Sequence, residues 1–165
     1  MPDQPLSSIP DGSDVFIDAN IFIYAMAGQS QQCVDFLERC SREDVYGLCL
    51  FEIVNEATHR FMLAEAYEIT KPSTNDLKRH SKAISSLTEY WKYTERILDL
   101  NLLIVPSEER MLRTAQNERM KNLLLTNDSI IVACMRNYGV SMLATRDLDF
   151  DSVADIDTFG PNDLV

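Results

Sequence analysis

The chain has 165 residues, 45% of them hydrophobic and 25% charged, with a formal net charge of −11. That length and balance describe one ordinary globular domain with a proper core, and no apolar run approaches the ~20 residues of a membrane span. Such acidity excludes a protein held to nucleic acid by bulk attraction, which needs Lys and Arg. It leaves room for a local basic rim, or for a partner with basic segments.

The opening Met1-Pro2-Asp3-Gln4-Pro5 lacks the basic-then-apolar pattern of a secretory signal, so the cytoplasm is the expected compartment. Residues 1–13, rich in Pro, Ser, Asp and Gly, read as a flexible lead-in to a single domain over 14–165. Cys33, Cys40, Cys49 and Cys134 form no C-x-x-C pair and no zinc-finger spacing. Reduced, buried thiols are therefore expected rather than a structural zinc site.

Val15-Phe16-Ile17-Asp18 predicts a short, fully buried strand with Asp18 at its tip. Asn20 predicts an N-cap, with a helix from Ile21 to a stop at Gly28. Ser30 caps a second helix over 31–40, whose Cys33, Phe36, Leu37 and Cys40 share a face. A second strand follows at 46–49, then a helix over 51–66 with Ile53, Val54, Ala57, Phe61 and Ala64 as its stripe. Residues 67–78 read as a loop. A long amphipathic helix over 78–99 is expected next, with Ile84, Leu87, Trp91 and Leu98 on its apolar face.

Leu102-Leu103-Ile104-Val105 is a third strand closed by Pro106, and Ser107 caps a helix through 119. A last helix runs from Asn127-Asp128 to Gly139, and Ser141-Met142-Leu143-Ala144 is a fourth strand. A fifth short strand falls within 153–159. Buried strands alternating with helices predict an α/β fold, a three-layer α/β/α sandwich with a short, mostly parallel sheet.

On this scheme Asp18 and Asp147 stand at the tips of strands one and four. Strand tips of a parallel sheet share one edge, where open α/β folds place their ligands. Asp128 lies in the first turn of a helix, which favours an anion, and Glu56 borders the apolar stripe of the helix after strand two. Three or four carboxylates at one edge repel one another unless a divalent cation neutralises them, and oxygen-only ligands select Mg²⁺ or Mn²⁺ over zinc. Each acid also has a simpler reading. Asp18 caps a turn, Glu56 pairs with Arg60 at i, i+4, Asp128 is an ordinary first-turn acid, and Asp147 and Asp149 are solvated.

Ile17-Asp18-Ala19-Asn20-Ile21, Val54-Asn55-Glu56-Ala57, Asn127-Asp128-Ser129-Ile130-Ile131-Val132-Ala133 and Leu143-Ala144-Thr145-Arg146-Asp147-Leu148-Asp149-Phe150 resemble, in order, the four motifs of the PIN domain family. Their order and intervals are similar to those of VapC-type toxins of toxin–antitoxin pairs, over residues 14–26, 46–61 and 123–160. The resemblance implies a PIN-like fold and a Mg²⁺- or Mn²⁺-dependent endoribonuclease acting on RNA. It carries the catalytic, metal-holding acids onto Asp18, Glu56, Asp128 and Asp147. Asn20 and Thr145 match positions that support those acids, with Asp149 an auxiliary. It further implies a homodimer and a cognate antitoxin protein whose segment enters the acidic site. The alternative is a non-catalytic module of the same fold that binds RNA or protein.

Two features depart from the family pattern: residues 66–99 carry none of its signatures, and strand two ends in Cys49-Leu50 where Ser or Thr is usual. Arg60, Arg79, His80 and Arg146 at the rim are candidates for phosphate contacts, the simpler reading of most being scattered surface charge. Three other readings are weaker. Glu56-x-x-His59 lacks the second pair that a carboxylate-bridged di-iron bundle requires. Asp18-x-Asn20 lacks the second Asp of haloacid dehalogenase-like enzymes. Trp91, flanked by Tyr90 and Tyr93, falls at core spacing rather than forming a base-stacking platform.

Overall fold

A computed structural model describes residues 4–70 and 84–164. Six strands form one parallel sheet: β1 (Gln4–Pro5), β2 (Asp14–Ile17), β3 (Tyr46–Leu50), β4 (Leu102–Val105), β5 (Met142–Ala144) and β6 (Asp157–Gly160). Their order is β1-β6-β5-β2-β3-β4, so β2 and β5 lie side by side near the centre. Phe16 stands opposite Leu48 on one side and Leu143 on the other. Val15, Phe16 and Ile17 are all fully buried. Consecutive side chains point to opposite faces, so both faces of the sheet are covered, as the α/β/α expectation requires.

The helices are α1 (Ala19–Met26), α2 (Gln31–Ser41), α3 (Phe51–Thr70), α4 (Glu89–Leu98), α5 (Glu109–Asn122) and α6 (Thr126–Tyr138). α1 packs on α2 and α3, α3 on α4, and α5 on α6. Among the described residues no helix is long and apolar enough to cross a membrane. Gly47 is what lets β3 sit so tightly between its neighbours. A Cβ there would stand 2.5 Å from Leu102 Cδ2 and 2.9 Å from Ile17 Cδ1, too close for any other residue without a shift. All four thiols are free and buried, and burial pushes them well up, Cys40 to about 12.

Several expected boundaries move, each for a tertiary reason. The lead-in is built into the fold from Gln4 onward: β1 pairs with β6, and Leu6 and Ile9 are buried in the core. The cap of α1 is Asp18, whose carboxylate accepts from Ala19 N–H, while Asn20 lies inside the first turn. α2 is capped as expected, Ser30 Oγ accepting from Cys33 N–H at 3.0 Å. α3 continues to Thr70, through the first residues of the expected loop, and Ala66 rather than Ala64 is buried. The rest of that loop, and the expected start of the long helix with its Arg79 and His80, lie outside the described residues.

α4 begins only at Glu89 because Glu65, on the neighbouring α3, caps it. Its carboxylate accepts from the backbone N–H of Thr88 (2.7 Å), Glu89 (3.1 Å) and Tyr90 (2.8 Å). Burial pushes the Glu65 carboxyl up, but those three bonds and the Lys92 charge together outweigh it and hold the group below the usual range. The buried stripe of α4 is then Thr94 and Ile97, with Tyr93 stacked on Phe61 at 5.4 Å. Trp91, expected in the core, is 47% exposed. α5 starts after Glu108 rather than Ser107 and runs on to Asn122, where Leu123 takes a left-handed φ of 59°. α6 stops as expected at Gly139, whose φ of 69° only glycine adopts freely.

Candidate active site

β2 delivers Asp18 to the sheet edge as its backbone N–H donates to the Ala144 carbonyl of β5 at 3.0 Å. The Asp18 carboxylate is then fixed on both oxygens. Oδ1 accepts from Ala19 N–H at 2.7 Å, and Oδ2 accepts from Asn20 Nδ2 at 2.5 Å and Thr145 Oγ1 at 2.7 Å. Thr145 is fully buried just past β5, its own N–H tied to the Phe159 carbonyl at 2.8 Å. Its single hydroxyl proton goes to Asp18. Its oxygen accepts from Asn20 Nδ2 at 3.2 Å and Asp147 N–H at 3.0 Å. Asn20 Oδ1 accepts from Arg146 N–H at 3.1 Å. A hydroxyl offers one proton and two lone pairs, so the Thr145 hydroxyl has no capacity left over.

Asp147 caps the 3-10 turn Leu148–Ser152 by accepting from Asp149 N–H at 3.0 Å. Glu56 on α3 and Asp128 in the first turn of α6 face the same space from the helical side. Asp18, Glu56, Asp128 and Asp147 line one cavity of about 370 Å³, with Asn20, Tyr24, Arg60 and Asn127 among its other walls. The structure thus brings together all four acids singled out in the sequence. Asp149 does not line this cavity; it lies in an adjoining groove with Arg146. His59 lines neither. Glu56 and Arg60, one helical turn apart, form no ion pair among the described residues.

The electrostatics follow from crowding. Burial raises the Asp18 carboxyl to about 6, opposed by the Thr145 and Ala19 hydrogen bonds and reinforced by Glu56 and Asp147. Burial also raises Asp128 to about 6, with Asp147, Asp149 and Glu56 adding repulsion. Among the described residues no three His, Cys, Asp or Glu side chains stand close enough to hold an ion without adjustment. The donor set is nonetheless all oxygen, and these carboxylates gain from any positive charge placed between them. That chemistry fits a hard divalent cation.

The sequence model of the PIN domain family matches residues 15–156. The chain belongs to the PIN domain family. It is 30% identical over 149 residues to Ribonuclease VapC6 of Methanocaldococcus jannaschii, covering 86% of this chain and 93% of that protein. To Ribonuclease VapC2 of the same organism it is 25% identical over 144 residues, covering 84% and 88%. Its fold is similar to that of VapBC2 from Rickettsia felis, solved with a promoter DNA fragment, at a TM-score of 0.58 and 13% identity over 90% of this chain and 99% of that one. It is also similar to VapC20 from Mycobacterium tuberculosis, described as a sarcin-ricin loop cleaving toxin, at a TM-score of 0.57 and 10% identity over 87% and 97%.

Tyr24 and Asn127 are the polar walls of this PIN-domain cavity to which the sequence alone assigns no role. Tyr24 was within reach: it follows Asn20 by four residues, one turn along the same face of α1. Asn127 stands beside Asp128 in the third motif and lines the cavity with it.

Proposed function

We propose that this PIN-domain protein is a metal-dependent endoribonuclease, the toxin of a toxin–antitoxin pair. The observation that carries the reading is the convergence on one cavity of four carboxylates from four separate elements. Relatives named as ribonucleases, 30% and 25% identical along most of the chain, support the same activity.

A bound Mg²⁺ or Mn²⁺ would supply Lewis acidity toward a phosphate and lower the pKa of a coordinated water. Asp18, Asp128 and Asp147 are the residues assigned to hold it, with Glu56 reaching it directly or through water. Asn20 and Thr145 keep Asp18 in one orientation, and Asp149 supports Asp147 through its backbone N–H. In the reaction a water oxygen bonds to phosphorus and the P–O3′ bond breaks, leaving a 5′-phosphate and a 3′-hydroxyl. The acidic cavity suits a basic side chain from an antitoxin, and a structure of similar fold solved as a toxin–antitoxin complex from Klebsiella pneumoniae supports such a partner. A second copy of the chain has an apolar face to meet in Met120, Leu123 and Leu125, all strongly exposed.

Incubating a structured RNA pool with the purified protein in Mg²⁺, Mn²⁺ or EDTA tests the reading. Metal-dependent cuts that Asp18→Asn and Asp128→Asn both abolish are the expected result. A folded, antitoxin-free protein that cuts nothing under any metal would instead be a binding module.

A further inference from the structure

Six of the nine arginines among the described residues are engaged. Arg39, Arg42, Arg110, Arg113 and Arg136 each bond a carboxylate, and Arg119 bonds the Ser129 hydroxyl. Among the described residues the side chains of Arg60, Arg96 and Arg146 make no such bond. Two of those three sit at the acidic site. Arg60 lines the cavity with all four acids, yet pairs with none of them. Arg146 lines the adjoining groove of about 600 Å³ beside Asp147 and Asp149, again without pairing. Its backbone is pinned there by Asn20 Oδ1.

The two hollows share Asn20, Tyr24 and Asp147 as walls, so they adjoin. Asp147 faces both, the cavity that holds the other three acids with Arg60 and the groove that holds Asp149 with Arg146. A single strand of nucleic acid presents the matching pattern. Its scissile phosphate needs a cation-filled acidic centre, while its neighbouring phosphates need guanidinium forks.

We propose that Arg60 and Arg146 grip the phosphates on either side of the scissile one and so set the register of the RNA strand over the carboxylates. The proposal rests on the nuclease reading for the identity of the strand. Both arginines are positioning residues: they act on where the strand lies, and the acids act on the bond.

The test is a fluorescence-anisotropy titration of a short, labelled, mixed-sequence oligoribonucleotide in Ca²⁺, a hard cation that takes oxygen ligands, at increasing KCl. Arg60→Ala and Arg146→Ala should each weaken binding about tenfold, the scale of one charge-assisted hydrogen bond. Each should also flatten the log–log salt dependence by about 0.7, one phosphate contact to a single strand. Arg60→Lys and Arg146→Lys should restore the salt slope. Arg96→Ala, an unpaired arginine in a separate hollow beside Leu37 and Leu100, should change neither quantity. In Mg²⁺, KM should rise in both alanine variants while kcat and the melting temperature hold.

Alanine variants that bind like Arg96→Ala, or that lose kcat with an unchanged salt slope, would overturn the proposal. A wild-type chain that binds the strand with these slopes but never cuts it would sink the nuclease reading and leave the arginine assignment standing.

Discussion

The two halves of the acidic cavity are built in opposite ways. On the sheet side, Asp18, Asn20, Thr145, Arg146 and Asp147 form an unbroken chain of hydrogen bonds, anchored in β2 and β5. On the helix side, the Glu56 and Asp128 side chains have no hydrogen-bond partner among the described residues. The sheet half is a fixed template; among the described residues no side-chain hydrogen bond ties the helix half. One tied half and one untied half combine a defined geometry with four carboxylates that repel one another when nothing lies between them.

Replacing one acid from each half gives the largest effect and a difference in sign. Asp18→Asn and Asp128→Asn should each lower metal-dependent cleavage by about three orders of magnitude or more, the scale seen when a group central to catalysis is removed. Their melting temperatures should move apart. Asn at position 18 sets an amide donor against the donors of Ala19, Asn20 or Thr145, costing about 1–3 kcal/mol. Asn at position 128 only removes a repelled charge, and should raise the melting temperature of the metal-free protein at neutral pH by about 2–4 °C. Calorimetric melting of both variants checks this; equal shifts would mean that the two halves are not held differently.

Thr145→Val comes next. It keeps the shape but removes the proton that Asp18 receives and the oxygen that Asn20 and Asp147 N–H share. Losing such a ligand-orienting contact should weaken metal affinity or activity by about 10–100-fold, measurable by Mn²⁺ titration calorimetry. Glu56→Gln, which disturbs no hydrogen-bond chain, should leave Asp18 in place and weaken the metal less.

The same contrast predicts a pH dependence. A free aspartate charges near 3.8, whereas Asp18 and Asp128 charge only near 6 in the folded protein. Between those values the folded chain binds more protons than the unfolded one, so stability of the metal-free protein falls as pH rises through the window. Thermal melts from pH 4 to 7 should show that fall, Asp128→Asn should shrink it, and Mg²⁺ or Mn²⁺ should offset it. The smallest effect lies outside the site. Glu65→Ala removes the remote cap of α4 and should cost about 1 kcal/mol, the usual value of a helix N-cap, with cleavage unchanged.

What the sequence reveals and what it conceals divide along the same physical line. Val15-Phe16-Ile17 announces a buried strand because burial on both faces leaves a continuous apolar run. Ser30 and Gly139 announce helix ends because their partners lie within a turn. The four acids were legible because each sits at a strand tip or near the start of a helix that follows a strand or loop. The start of α4 was not, because its cap comes from Glu65 on another helix. β1 was not, because two residues carry no periodicity and its only partner, β6, is at the far end of the chain. Trp91 misled because aromatic spacing says which residues share a face, not which face the neighbouring helix covers. Asn20 was read as a cap, yet its contacts with Thr145 and Arg146 cross more than a hundred positions of sequence.

That long reach bears on the protein's synthesis. The bond from Thr145 to Asp18 joins residues 127 positions apart, and β2 meets its β5 neighbour only after Met142–Ala144 has been made. Domains form as their segments emerge, N-terminal part first, and long-range parallel pairing is slow. A nascent chain therefore carries Asp18 and Glu56 before it has the strand whose flank fixes Asp18 or the helix that brings Asp128 to them. The candidate centre is thus assembled late: it waits for the segment that carries Asp128, Thr145 and Asp147, while the RNA-rich ribosome is still at hand when Asp18 first emerges.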